Sequence, residues 1–211
     1  MKNLPYFLLC LAIVGLTFAC NQSVTTNNPS GEEETPINTV VNTEQVAPLL
    51  SGENFRIDVL IDSIKSPRKE LTGTVDGVEI VINYGSPAVN GRSIYGNLVP
   101  YGKVWRTGAN EATRITFSDP VQLGDSEAIV PAGTYSFFTQ PTDKENWTII
   151  INKDSDQWGP YDYTPDLDVV RVATTSAPAA DKAERMDFSL SEDEIKLHWD
   201  DLVIPVNIKR A

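Results

Sequence analysis

The chain is expected to fold as an all-β protein: a single antiparallel β-sandwich domain with jelly-roll-like character. Three observations lead there. After Ser66-Pro67 almost every segment alternates apolar and polar residues with a period of two, and each segment is short and closed by turn residues. No helix-length stretch carries a 3.6-residue apolar period. Asp76-Gly77 sits between two alternating runs, the strongest short hairpin signal there is, because glycine accepts the positive φ that a tight type I′ turn demands.

The elements follow in order. Residues 56–64 alternate through Ile57, Val59 and Ile61 and read as a leading strand or a short helix. Residues 71–75 and 78–84 form the hairpin around Asp76-Gly77. Residues 113–117 make the next strand, and 128–130 lead through Pro131-Ala132-Gly133 into 134–139. Further strands are expected at 147–152, 169–174, 183–190, 195–199 and 202–208. The closing segments each present one apolar face: Met186, Phe188 and Leu190; Ile195, Leu197 and Trp199; Val203 or Ile204, Val206 and Ile208. Two stacked sheets require that arrangement.

The N-terminus reads as an address. Met1–Asn3 is a short positive start and Leu4–Ala19 an apolar run too short for a comfortable membrane span. Ala19 before Cys20 resembles a lipobox, with Thr17 at the place usually held by Leu. Residues 1–19 are therefore expected to be a cleaved lipoprotein signal peptide and Cys20 the acylated residue that makes the membrane a partner. Acyl chains contribute about 0.8 kcal/mol per buried methylene. Residues 20–54 are Asn, Thr, Ser, Pro, Glu and Gly with few large apolar side chains, the composition of a disordered acidic spacer. Residues 55–211 form the β-sandwich domain. Asn21 after the cysteine, by analogy with lipoprotein sorting, points to the outer membrane. Glu32-Glu33-Glu34 leaves open whether the domain faces the periplasm or the cell surface.

Composition narrows the chemistry. The formal charge of −12, with no clustered Lys or Arg, argues against a nucleic-acid partner. Cys10 and Cys20 are the two cysteines, so the domain has no thiolate for a disulfide or a metal site. His198 is the one histidine, too little for a multi-His zinc site; between Leu197 and Trp199 on a closing strand it is expected to face solvent. The glycines are scattered through turns without a strand–loop–helix pattern for phosphate, and the residues call for no cofactor. Asp154, Asp156, Asp162, Asp166 and Asp168 offer oxygen ligands, but their spacing matches no calcium loop and reads as a solvated acidic turn.

The stretch from Tyr84 to Thr113 breaks the strand period and is dense in Gly, aromatic residues and Arg. Long structured loops in compact domains are usually functional or densely packed. The strings Gly91-Arg92, Pro100-Tyr101-Gly102 and Val104-Trp105-Arg106-Thr107-Gly108-Ala109-Asn110, followed by Pro131-Ala132-Gly133-Thr134-Tyr135, Asn152-Lys153 and Trp158-Gly159, resemble the domain-of-unknown-function 2911 family over residues 66–208. The resemblance implies a secreted or lipid-anchored setting in Bacteroidetes-type bacteria and assigns no catalytic residue.

The candidate ligand-binding residues are Arg92, Trp105, Arg106, Asn110, Glu111, Lys153, Trp158, Tyr161, Asp168 and Arg171. The arginines are planar forks suited to carboxylates or phosphates, and the aromatic side chains offer flat faces for sugar rings. The expected function is a non-enzymatic envelope module binding a glycan, an envelope fragment or a protein. One alternative is a structural or assembly lipoprotein in which Arg106 pairs with Glu111 in a buried network and Trp105 and Trp158 fill the core. The other is a glycan hydrolase using Glu111 and Asp168 as its two carboxylates.

Overall fold

The computed structural model describes residues 54–211. The expected signal peptide, Cys20 and the spacer up to residue 53 lie outside the described residues. The strands run in chain order β1 (Phe55–Ile61), β2 (Arg68–Val75), β3 (Val78–Gly85), β4 (Arg114–Phe117), β5 (Val121–Leu123), β6 (Gly133–Pro141), β7 (Asn146–Asn152), β8 (Asp168–Thr175), β9 (Ala177–Leu190) and β10 (Glu194–Arg210). A single 3₁₀ turn, Pro165–Leu167, interrupts them. They form a 7-stranded antiparallel sheet in the order β1-β2-β3-β4-β6-β7-β8 and a 3-stranded sheet in the order β5-β10-β9.

The hairpin between β2 and β3 turns where the sequence says it should: Asp76 has φ 48° and Gly77 φ 73°, the paired positive values of a type I′ turn. Alternation then sets the two faces. Ile80, Ile82, Phe117, Phe137, Ile149 and Ile151 of the large sheet are buried against Met186, Phe188, Leu197, Trp199 and Ile204 of the small one. Phe188 ties the layers together, meeting Tyr84 edge-on at 5.0 Å and Phe137 at 5.8 Å between ring centroids.

A charged contact also crosses between the sheets. Lys69 Nζ of β2 donates to Asp187 Oδ1 of β9 at 2.6 Å, and the Tyr84 hydroxyl of β3 donates to the same oxygen at 2.9 Å. The lysine side chain is 5% exposed, and Asp187 is its ion-pair partner. Burial, reinforced by Asp187, drives the Tyr84 phenol far above its ordinary range.

Of the two readings of residues 56–64 the strand is the one observed: Phe55–Ile61 pair with β2 from Phe55↔Gly73 to Ile61↔Arg68. The structure departs from the sequence expectations at three places. Val121–Leu123 is a strand, because Val121–Leu123 line up with residues 208–210 of β10; the expected strand at 128–130 reduces to one bridge from Val130 to Val121. β9 begins at Ala177, earlier than alternation alone reveals. The two expected closing strands are one, Glu194–Arg210. Asp200, at φ 47°, sits in a register shift that lets the strand continue through the polar Asp200-Asp201 pair.

Asp187→Ala, which strands the Lys69 ammonium and the Tyr84 hydroxyl in the interior, is expected to destabilise the domain by about 3–5 kcal/mol in urea unfolding. The double variant Lys69→Met/Asp187→Leu is expected to recover most of that loss.

Candidate functional site

The aperiodic Tyr84–Thr113 segment is pinned at close range. A Cβ at Gly85 would stand 2.1 Å from the Ala109 carbonyl oxygen, and one at Gly108 would stand 2.9 Å from the Gly85 carbonyl oxygen. Only hydrogens at these two positions allow the loop to lie against the end of β3. Thr113 Oγ1 donates to the Thr107 carbonyl at 2.7 Å, and Thr107 Oγ1 lies 3.1 Å from Thr139 Oγ1. Trp105 exchanges two backbone hydrogen bonds with Thr139 of β6, at 2.7 and 3.0 Å. Thr107 and Asn110 hold positive φ, 54° and 64°. Further up the loop, the Tyr95 hydroxyl donates to the Trp199 carbonyl at 2.7 Å.

So fastened, the loop makes one wall of a cleft of about 430 Å³. Trp105 is half-buried at its floor, stacked at 5.6 Å and 14° on the buried Trp199. Pro87, Leu98 and Pro100 extend the apolar surface, and Tyr161, 87% exposed, stands on the rim. Lys65, Arg92, Lys103 and Arg106 also line the cleft, and among the described residues no Asp or Glu does. Arg92 Nε donates to the Val89 carbonyl at 3.0 Å, and Arg92 Nη2 to that of Ala88. Arg106 Nε is buried with no hydrogen-bond partner among the described residues. A buried donor left unmatched costs about 1–3 kcal/mol. Across the cleft, a Cβ at Gly159 would stand 2.8 Å from Arg106 Nη1, so the glycine leaves room for the guanidinium.

A second groove, of about 640 Å³, adjoins the same two loops. Asn110, Glu111 and Trp158 line it with Arg68, Asn83, Asp156 and the exposed Leu60, Ile61 and Ile64. Here Glu111 pairs with Arg68 at 3.3 Å and not, as the sequence suggested, with Arg106. Arg68 is 6% exposed and also donates through Nε to Asn83 Oδ1. Burial lowers its pKa from the ordinary arginine value, and the attraction of Glu111 partly opposes that. Asn110 Nδ2 donates to the Ser66 carbonyl at 3.4 Å, tying the loop to the start of β2. Trp158 is 59% exposed, so it does not fill the core.

Asp168, Arg171 and Lys153 line neither cleft. Asp168 is fully engaged: it accepts from Asn152 Nδ2 at 2.8 Å, from the Tyr163 hydroxyl at 2.6 Å and from Arg171 Nη1 at 2.8 Å. Asn152 Oδ1 in turn accepts from Gln157 Nε2 at 3.2 Å. This network fixes the 154–164 segment that carries Trp158, Gly159 and Tyr161. Burial, together with Asp168, pushes the Tyr163 hydroxyl up to about 12. Lys153 is exposed, its amide donating to the Leu167 carbonyl at 2.9 Å. The carboxylates of Glu111 and Asp168 thus serve separate networks, and the one sharing the groove with Glu111 is Asp156.

His198 is half-buried where solvent exposure was expected; Asp187 of β9 stands opposite it, and Ser189 Oγ, diagonally placed on the same strand, lies 2.7 Å from His198 Nε2. This hydroxyl–imidazole pair lines neither cleft. Among the described residues no group of three or more His, Cys, Asp or Glu side chains is placed to hold a metal ion.

Of the ten candidates read from the sequence, the fold brings Arg92, Trp105, Arg106 and Tyr161 to one cleft; Lys65, Lys103 and Arg68 were not among the ten. Nothing local distinguishes those three from solvated surface cations.

Fold and cleft together define a β-sandwich domain with a cleft formed by loops at the end of the large sheet. The family model described as "Protein of unknown function (DUF2911)" matches residues 66–208, and the chain belongs to that family. No curated protein and no solved structure matches it.

Burial lowers the His198 pKa from the ordinary 6.5; Lys196 adds to that, and Asp187 partly opposes it. The unfolded chain therefore takes up a proton before the folded one does, and stability falls as pH drops through 6.5. Chemical denaturation across that window is expected to show this slope, and His198→Gln is expected to flatten it.

Proposed function

We propose that the chain is a non-enzymatic binding module of the cell envelope, held to the membrane through Cys20, that takes a ring-bearing glycan or envelope fragment in the cleft between the Tyr84–Thr113 loop and the 154–164 segment. The observation that carries this reading is the pairing of two aromatic faces on one concavity. Trp105 is immobilised by its stack on Trp199, and Tyr161 stands free on the rim. A rigid aromatic floor costs little ordering entropy on binding, and sites for small molecules are concave, mostly apolar and sparsely polar. The size of the cleft suits a few sugar rings and not an extended polymer face.

The distribution of catalytic-type groups supports binding over hydrolysis. Glu111 is neutralised by Arg68, Asp168 is satisfied by three donors, and the single imidazole is away from both clefts. A second reading, assembly with an envelope protein, draws on the neighbouring groove, where Leu60, Ile61, Ile64 and Trp158 are between 40% and 59% exposed. A contiguous apolar surface of that kind suits a protein partner.

Titration of the full chain with oligosaccharides, followed by tryptophan fluorescence, is expected to report saturable binding. Tyr161→Ala, at a side chain too exposed to matter for folding, is expected to weaken it about fivefold, the equivalent of about 1 kcal/mol of ring contact. Saturable binding that is indifferent to Tyr161 would move the site out of this cleft.

A further inference from the structure

The charge lining the cleft runs against that of the molecule. The chain carries −12, yet Lys65, Arg92, Lys103 and Arg106 converge on one concavity that no carboxylate of the described residues lines. None of the four is ion-paired with a described residue, although Lys and Arg elsewhere on the domain commonly are. They come from two separate segments, the β1–β2 connection and the Tyr84–Thr113 loop, and the fold brings them together. Bringing like charges together is unfavourable unless something of opposite charge joins them. Such a patch is too compact for a nucleic-acid track, which needs a stripe of cations along the phosphates.

Arg106 is the centre of this set. Its Nε is buried and unpartnered, its backbone is fixed by the bond from Thr113 N to its carbonyl at 3.1 Å, and its guanidinium is accommodated by Gly159. A guanidinium so held presents a planar fork matching the two oxygens of a carboxylate or the edge of a phosphate. Lys65 and Lys103 are exposed at the mouth and add a field that concentrates anions.

We infer that the cleft is specific for an acidic glycan: a sugar bearing a carboxylate or a phosphate, with the anionic group on Arg106 and the ring against Trp105. This rests on the binding-module reading above and adds the charge of the ligand to it. The neutral donors at the cleft, Asn90 and Ser66, are left to hydroxyls.

The test uses the full chain and three probes: trigalacturonate, its fully methyl-esterified form, and glucose 1-phosphate, measured by calorimetry at low and high salt. Trigalacturonate is expected to bind at least about tenfold more tightly than the ester, with affinity falling as salt rises. Arg106→Gln is expected to abolish that preference. Gly159→Ala, which adds a methyl against Arg106 Nη1, is expected to weaken the acid and leave the ester unchanged. The exposed pair Lys65→Gln/Lys103→Gln is expected to reduce the salt dependence while leaving the melting temperature unaltered. Binding of glucose 1-phosphate in place of trigalacturonate, with the same response to Arg106→Gln, supports the inference with phosphate as the anion. Equal affinity for acid and ester overturns the inference and leaves the glycan-binding reading standing. Failure of all three probes to bind overturns both.

Discussion

The close approach of the loop to the end of β3 is the constraint on which the site depends. Gly85 and Gly108 leave no room for a Cβ between the loop and the strand, and Ala109 sits over Gly85 at backbone distance. With that contact made, Thr107 is forced into a left-handed conformation and buried, and its hydroxyl and carbonyl meet Thr139 and Thr113. Trp105 and Arg106, immediately before Thr107, are then aimed by default: the indole onto Trp199 and the guanidinium toward Gly159. The Trp-Arg-Thr-Gly-Ala-Asn string is therefore two devices in one run. Thr107, Gly108 and Ala109 are fastening, and Trp105 and Arg106 are what the fastening displays.

The same economy appears on the opposite wall. The segment carrying Trp158, Gly159 and Tyr161 has almost no regular structure, and its order comes from polar side chains. Asn152 receives Gln157 and donates to Asp168, which also receives Tyr163 and Arg171. Fully satisfied networks of this kind fix irregular backbone. Asp168 and Arg171, singled out in the sequence as ligand candidates, act on the cleft only by holding the segment that lines it.

The strands were legible wherever alternation was uninterrupted and the strand was long enough to show it, as from Val78 to Gly85 or from Asn146 to Asn152. Legibility failed where the deciding partner was distant. Val121–Leu123 is three residues whose strand character comes from residues 208–210, and Ala177–Ala183 is small and polar and becomes strand only beside β10. Asp200-Asp201 interrupts the alternation that a bulge then repairs. The aromatic and arginine content of the cleft was visible because it is clustered in sequence. Its charge character was not, because Lys65 joins Lys103 and Arg106 only through the fold. Arg106 and Glu111 pair in one of the alternative readings of the sequence, but Arg68, remote in sequence, lies against Glu111 and takes it.

The match to the family model begins at residue 66, yet β1, at Phe55–Ile61, completes the edge of the large sheet. Its register with β2 covers Gly73 to Arg68, and Ile57 is wholly buried. A polypeptide cut at the family boundary would present β2 as a bare acceptor edge with an empty apolar slot where Ile57 sits. Bare edges recruit strands, and the segment matched to this one is the 55–61 stretch that the cut removes. The leading strand is thus a self-supplied plug: the chain covers the β2 edge with its own residues just ahead of the matched span.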